Sequence, residues 1–85
     1  MAPQPRPIHD IADLGRLVRE TRKAQGIDQA AAAGMSAVSP RWLGELERGK
    51  ETLRVGLVLR VLHRLGLEIW VGPRGAFRNA FERGA

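Results

Sequence analysis

Residues 39–50 read SPRWLGELERGK, and this stretch limits the chain more than any other. Serine before proline marks a helix start. The Ser39 hydroxyl can accept from an unpaired N–H of the first turn, and Pro40 brings no N–H that would need a partner. Gly49 marks the stop, because glycine enters the left-handed conformation that ends a helix without steric cost. The segment between them is a helix of about two and a half turns, too short to be stable alone. It must dock on a larger body. At about 100° per residue, Trp42, Leu43 and Leu46 cluster on one side, and Pro40, Arg41, Gly44, Glu45 and Arg48 on the other. The first set docks and the second faces out. Glycine inside a helix costs roughly 1 kcal/mol relative to alanine, so Gly44 on the outward face reads as room for close approach. Glu47 falls at the edge of the buried side, where a carboxylate needs a cation.

The rest of the chain is punctuated in the same way. Asp10 can cap a first helix carrying Ile11, Leu14, Val18 and Thr21 on one stripe, and Gly26 stops it. Asp28 caps a second helix that opens QAAAA, where alanine favours the helix and lets a neighbour come close. Thr52 offers a cap to a fourth, with Val55, Val58, Leu59, Leu62 and Leu65 as its buried stripe and Gly66 at its end. Then Leu67, Glu68, Ile69, Trp70 and Val71 alternate in a β-rich run that reads as a strand. A lone strand leaves its backbone groups unpaired. Its best mate is a second copy of itself, which argues for a homodimer. The alternative is a coil packed on the domain. The expected organisation is an extended arm over 1–9, one domain over 10–72 that includes the strand, and a flexible tail over 73–85.

Charge narrows the partners. Lys and Arg number 14 against 9 acidic residues, a net +5 with a pI near 11.3. A small domain this basic suits a polyanion, unless the charge is only a solvated face. With no cysteine and only His9 and His63, neither a disulfide framework nor a metal site is expected. No apolar run is long enough to span a membrane, and the start MAPQPRPIHD lacks the apolar centre of a signal peptide. A cytoplasmic location is expected. Ser39 is a cap with no histidine near it in sequence, His63 reads as a surface residue, and no glycine loop follows a strand. No enzyme and no cofactor are expected.

IDQAAAAGMSAVSPRWLGELERGK, residues 27–50, resembles the helix-turn-helix of the XRE family, the phage-repressor-like DNA-binding domains. The matching positions are Gln29 at the start of the second helix, Ala37, Val38 and Ser39 in the turn, and Glu47, Arg48 and Gly49 at the end of the third. The resemblance implies that Arg22, late in the first helix, is the cation for Glu47. The chain departs from the family at three points: Ala37 where the turn usually has glycine, Ala32 where the second helix usually has leucine, and Asp28 where the cap is usually threonine. Met35 could make good the volume missing at Ala32.

LGRLVRETRKAQG before the motif and TLRVGLVLRVLHRLGLEIWV after it are similar to HipB-type antitoxins, whose helices are followed by a strand that pairs across the dimer. The fold so implied is an all-α, lambda-repressor-like bundle of four to five helices with one C-terminal strand. The function so implied is sequence-specific binding to a palindromic double-stranded operator, repression of the protein's own operon, and neutralisation of a HipA-like kinase toxin. A stand-alone XRE-type regulator is the alternative, and an adaptor that has lost DNA binding is a third reading. On the outward face Arg41 has the planar fork that guanine accepts, and Glu45 can accept from a cytosine amine or orient Arg41. Pro40 and Gly44 allow apolar or backbone contacts. Gln29, Arg48 and Lys50 are placed to hold the phosphate backbone. Phe77 and Phe81 in the tail are candidates for a toxin contact.

Overall fold

Three of the four helices begin where a side-chain oxygen meets an orphan backbone N–H. The computed structural model describes residues 6–78, with α1 over Ile11–Ala24, α2 over Gln29–Ser36, α3 over Pro40–Glu47 and α4 over Val55–Arg64. Asp10 accepts from the Asp13 N–H at 2.8 Å, Asp28 from Ala31 at 2.8 Å, and Ser39 from Trp42 at 3.0 Å. α4 does not use Thr52. Its N-cap is Arg54, which makes no side-chain capping bond. Helical conformation returns at 76–78, at the edge of the described residues.

The helix ends follow glycine where the chain has one. Gly26, Gly49 and Gly66 take φ of 71°, 86° and 80°. After α4 the Leu67 N–H reaches the Leu62 carbonyl at 2.8 Å and the Gly66 N–H reaches His63 at 3.0 Å, which satisfies two carbonyls that the helix end leaves open. α2 ends on Ala37 instead, at φ 57° and ψ 41°, the only non-glycine with positive φ among the described residues. The Val38 N–H still bonds the Ala33 carbonyl at 3.1 Å. The turn keeps its left-handed geometry at the expense of the Ala37 Cβ, a strain of about 1 kcal/mol. Ala37→Gly should therefore raise the melting temperature by about 4–8 °C, measured by circular dichroism. An unchanged or lower midpoint would show that the turn is not strained.

α3 sits between α1 and α2, and α4 packs on α2. Leu43 and Leu46 of α3 are fully buried, with Val18 of α1 and Ala32 and Ala33 of α2 against the same core. Close approach of α1 to α3 depends on two glycines. A Cβ on Gly15 would lie 2.3 Å from the Leu46 carbonyl oxygen and 2.8 Å from that of Glu47, and a Cβ on Gly49 would lie 2.9 Å from the Ala12 Cα. Gln25 ties the end of α1 to the end of α4 by donating to the Leu65 carbonyl at 2.8 Å.

Some elements differ from the sequence reading. The buried face of α4 is Val58, Val61 and Leu62, continued by Leu65, whereas Val55 and Leu59 are 69% and 47% exposed. The wheel drawn through Val55 and Leu59 was rotated away from the face that meets α2. Met35 is 46% exposed and does not cover Ala32. Residues 67–72 have no regular structure, and no strand occurs among the described residues. Among the described residues there is no second strand to accept the ladder bonds of 67–71. Leu67 is half-buried on the core, and Glu68, Ile69, Trp70 and Val71 are exposed. Arg6, which could have reached out from the N-terminal arm, pairs with Glu20 on α1 at 2.8 Å. Phe77 is half-buried, and Phe81 lies outside the described residues.

Candidate nucleic-acid interface

α2, the turn and α3 present one surface, and its geometry depends on a charge buried beneath it. Glu47, the last residue of α3, accepts from Arg22 Nε at 2.7 Å and from Arg22 Nη2 at 3.0 Å. Both side chains are almost wholly buried, 9% and 3% exposed. The third nitrogen of the fork, Arg22 Nη1, donates to the Ile27 carbonyl at 3.0 Å. Gln29 Nε2 completes the cluster by donating to Glu47 Oε1 at 3.1 Å. The carboxylate thus joins α1, the first residue of α2 and the end of α3, and Arg22 extends the cluster to the loop before α2. Burial pushes the Glu47 carboxyl upward. The hydrogen bonds from Arg22 and Gln29 and the charges of Arg22 and Arg19 outweigh it, and the group titrates below its usual 4.5. The Arg22 guanidinium is raised, first by its bond to Glu47, against the opposing effect of burial.

The outward residues of α3 divide into a protruding set and a supporting set. Pro40, Arg41 and Arg48 are exposed, as is the cap Ser39. Gly44 is not the open position that its place on the wheel suggested. It is buried, and a Cβ there would lie 3.1 Å from Arg48 Nη1 and 3.7 Å from Gln29 Nε2. Its missing side chain lets Arg48 and Gln29 lie across the helix, so the room is used within the protein. Glu45 is half-buried and accepts from Lys50 Nζ at 3.2 Å, so its partner is Lys50 rather than Arg41. Lys50 is accordingly held beside α3 instead of standing apart from it. Gln29 spends one of its two amide hydrogens on Glu47, which anchors the carboxamide at the start of α2.

The surface so built carries Arg41, Arg48 and Lys50, all exposed. A short helix exposed in this way, packed on a preceding helix across the turn Ala37–Ser39, is the arrangement that enters a DNA major groove. The Gln29–Glu47 bond and the Glu45–Lys50 pair were not read from the sequence. Neither spacing marks such a pair: Gln29 and Glu47 are 18 residues apart, and Glu45 and Lys50 five. Among the described residues no group of three His, Asp or Glu side chains could hold a metal ion. No helix among them is long and apolar enough to cross a membrane.

Comparison with known proteins agrees with this geometry. The chain is 47% identical over 72 residues to the uncharacterized HTH-type transcriptional regulator y4mF of Sinorhizobium fredii, an alignment covering 85% of this chain and 95% of the relative. It is 34% identical over 55 residues to the HTH-type transcriptional regulator RamB of Mycobacterium tuberculosis, covering 65% of this chain and 12% of that longer protein. The family described as the helix-turn-helix domain matches residues 13–69, which takes in α1 from Asp13 onward, the whole of α2, α3 and α4, and the buried Arg22–Glu47 pair. On that match and that architecture, the chain belongs to the helix-turn-helix family of DNA-binding domains.

Proposed function

We propose that the chain is a sequence-specific transcriptional regulator that binds a palindromic operator as a homodimer in the cytoplasm, with no catalytic activity. The observation that carries this reading is the exposed Arg41 on a short helix braced from below by Arg22, Gln29 and Glu47. A base reader must be held rigidly, and this helix is held at its end by three hydrogen bonds to Glu47, two from Arg22 and one from Gln29. Base contacts specify and phosphate contacts position. Arg41 is assigned to a guanine edge, with Ser39, Pro40, Gly44 and Glu45 shaping the approach, and Arg48, Lys50 and Gln29 to the backbone. Arg41→Ala should cost roughly 1–3 kcal/mol on the operator and relax preference at one base pair per half-site. Titration of parent and variant against duplex from upstream of the coding sequence and against scrambled duplex checks this. Equal losses on both duplexes would mean that Arg41 does not read sequence.

Dimerisation is supported by apolar side chains that one chain leaves in water. Ile69, Trp70 and Val71 are 50%, 73% and 92% exposed. Pairing 67–71 with the same segment of a second copy would satisfy its open backbone groups and cover these side chains. Ile69→Asp combined with Val71→Asp should give a folded monomer in sedimentation and weaken binding to a palindrome far more than to a half-site. A dimer that survives both changes would place the interface elsewhere.

The finer reading, an antitoxin that represses its operon and neutralises a HipA-like kinase, rests on the resemblance of the flanking segments to HipB-type proteins. The relatives described as transcriptional regulators support the stand-alone regulator equally. A pull-down with the product of an adjacent kinase gene separates the two. Capture supports the antitoxin, and absence of such a gene or of capture leaves the regulator alone.

A further inference from the structure

One flank of α1 carries Arg16, Arg19 and Lys23 at spacings of three and four, so they form a single exposed stripe. Together with Glu20 they line one shallow surface depression. Glu20 is already engaged by Arg6 at 2.8 Å, and Arg16 is engaged by Asp13. Those four cations outnumber the two carboxylates by two, and Arg19 and Lys23 have no carboxylate bonded to them among these pairs.

The position of the stripe matters more than its charge. Gly15 marks the seam where α1 meets α3, because its Cα faces the Leu46 and Glu47 carbonyls, and Ala12 marks it again beneath Gly49. On the α1 wheel Arg19 falls between the two seam residues Gly15 and Ala12, with Lys23 and then Arg16 just beyond Ala12, and the Arg19 charge acts on Glu47 across the seam. The end of α3, with Arg48 and Lys50 on either side of Gly49, therefore abuts the stripe. Arg48, Lys50, Arg19, Arg16 and Lys23 make one basic belt running off the candidate interface onto α1.

We propose that the α1 stripe, principally Arg19 and Lys23, is a second phosphate-contacting surface that grips the DNA backbone flanking each half-site. This rests on the reading of α3 as the DNA-facing helix. A basic stripe continuous with that helix has the charge a phosphate row requires, and such contacts are independent of sequence. The Arg6–Glu20 pair lowers the net charge of the belt. Removal of the Glu20 carboxylate should release Arg6 and strengthen binding.

The test uses the full chain and two duplexes, one from upstream of its coding sequence and one of random sequence, titrated at several salt concentrations. Arg19→Gln with Lys23→Gln should lower the slope of log K against log salt by about two units per bound protomer, roughly four for a dimer, on both duplexes, with an unchanged melting temperature and unchanged discrimination between the duplexes. Glu20→Gln should raise affinity several-fold on both. A double variant that keeps the parent's slope overturns the proposal while leaving DNA binding by α3 intact. A parent chain that binds neither duplex overturns both readings.

Discussion

Glu47→Ala should lower the stability of the domain by about 3–5 kcal/mol, because it strands the Arg22 guanidinium in a site that is almost closed to water. A domain of this size has only about 5–15 kcal/mol in total, so the variant should be partly unfolded near body temperature. The loss would appear in thermal or urea melts with no DNA present. If Glu47→Ala melts like the parent and fails only on DNA, the residue acts at the interface and not as a brace. Acid gives a second reading of the same pair. The folded-state pKa of Glu47 is depressed below its usual 4.5, so its contribution is complete above that value and is lost as pH falls through the depressed value. Asp13 titrates the same way, lowered first by the His9 N–H, but it does so in parent and variant alike. The difference between melts of the parent and of Glu47→Gln across the acid range should therefore shrink as pH falls. A difference independent of pH would exclude an ionised Glu47 in the folded protein.

Gly15→Leu should be at least as damaging, although it changes no charge and lies in a helix that glycine destabilises. Even one Cβ at Gly15 would sit 2.3 Å from the Leu46 carbonyl oxygen, and a backbone carbonyl cannot swing aside as a side chain can. α1 and α3 would have to separate, which would lengthen the bonds from Arg22 to Glu47, two turns along the same face of α1. Overpacking of a tight core typically costs about 1–3 kcal/mol, and here the lost ion-pair geometry is added to it. The conservative Gly15→Ala separates the two effects. Alanine improves helix propensity by about 1 kcal/mol, so a net loss of stability measures the clash. A variant more stable than the parent would show that the helices do not approach this closely.

The local features of the chain settle where its helices start and stop. Asp10, Asp28 and Ser39 cap because an oxygen two or three residues before an orphan N–H needs nothing from the rest of the molecule. Gly26, Gly49 and Gly66 stop helices for a reason equally local, the freedom of glycine at positive φ. The docking side of α3 follows from the spacing of Leu43 and Leu46. The partnership of Arg22 with Glu47 was legible only through resemblance, since 25 residues separate them and nothing in spacing joins them.

What the tertiary structure decided are the matters that depend on a second element. Thr52 has the chemistry of a cap, but the chain turns into α4 only at Arg54. Val55 and Leu59 have the hydropathy of core residues, but the face of α4 that meets α2 is centred on Val58, Val61 and Leu62. Gly44 looks open on a wheel, yet the wheel cannot show Gln29 and Arg48 lying across it, and Gly15 looks merely unfavourable until the carbonyls of α3 are placed against it. For 67–71 the alternation describes side chains, while a strand is defined by hydrogen bonds to another backbone, and the described residues offer none. Sequence determines which groups want partners; only packing in three dimensions determines which partners come within about 3 Å.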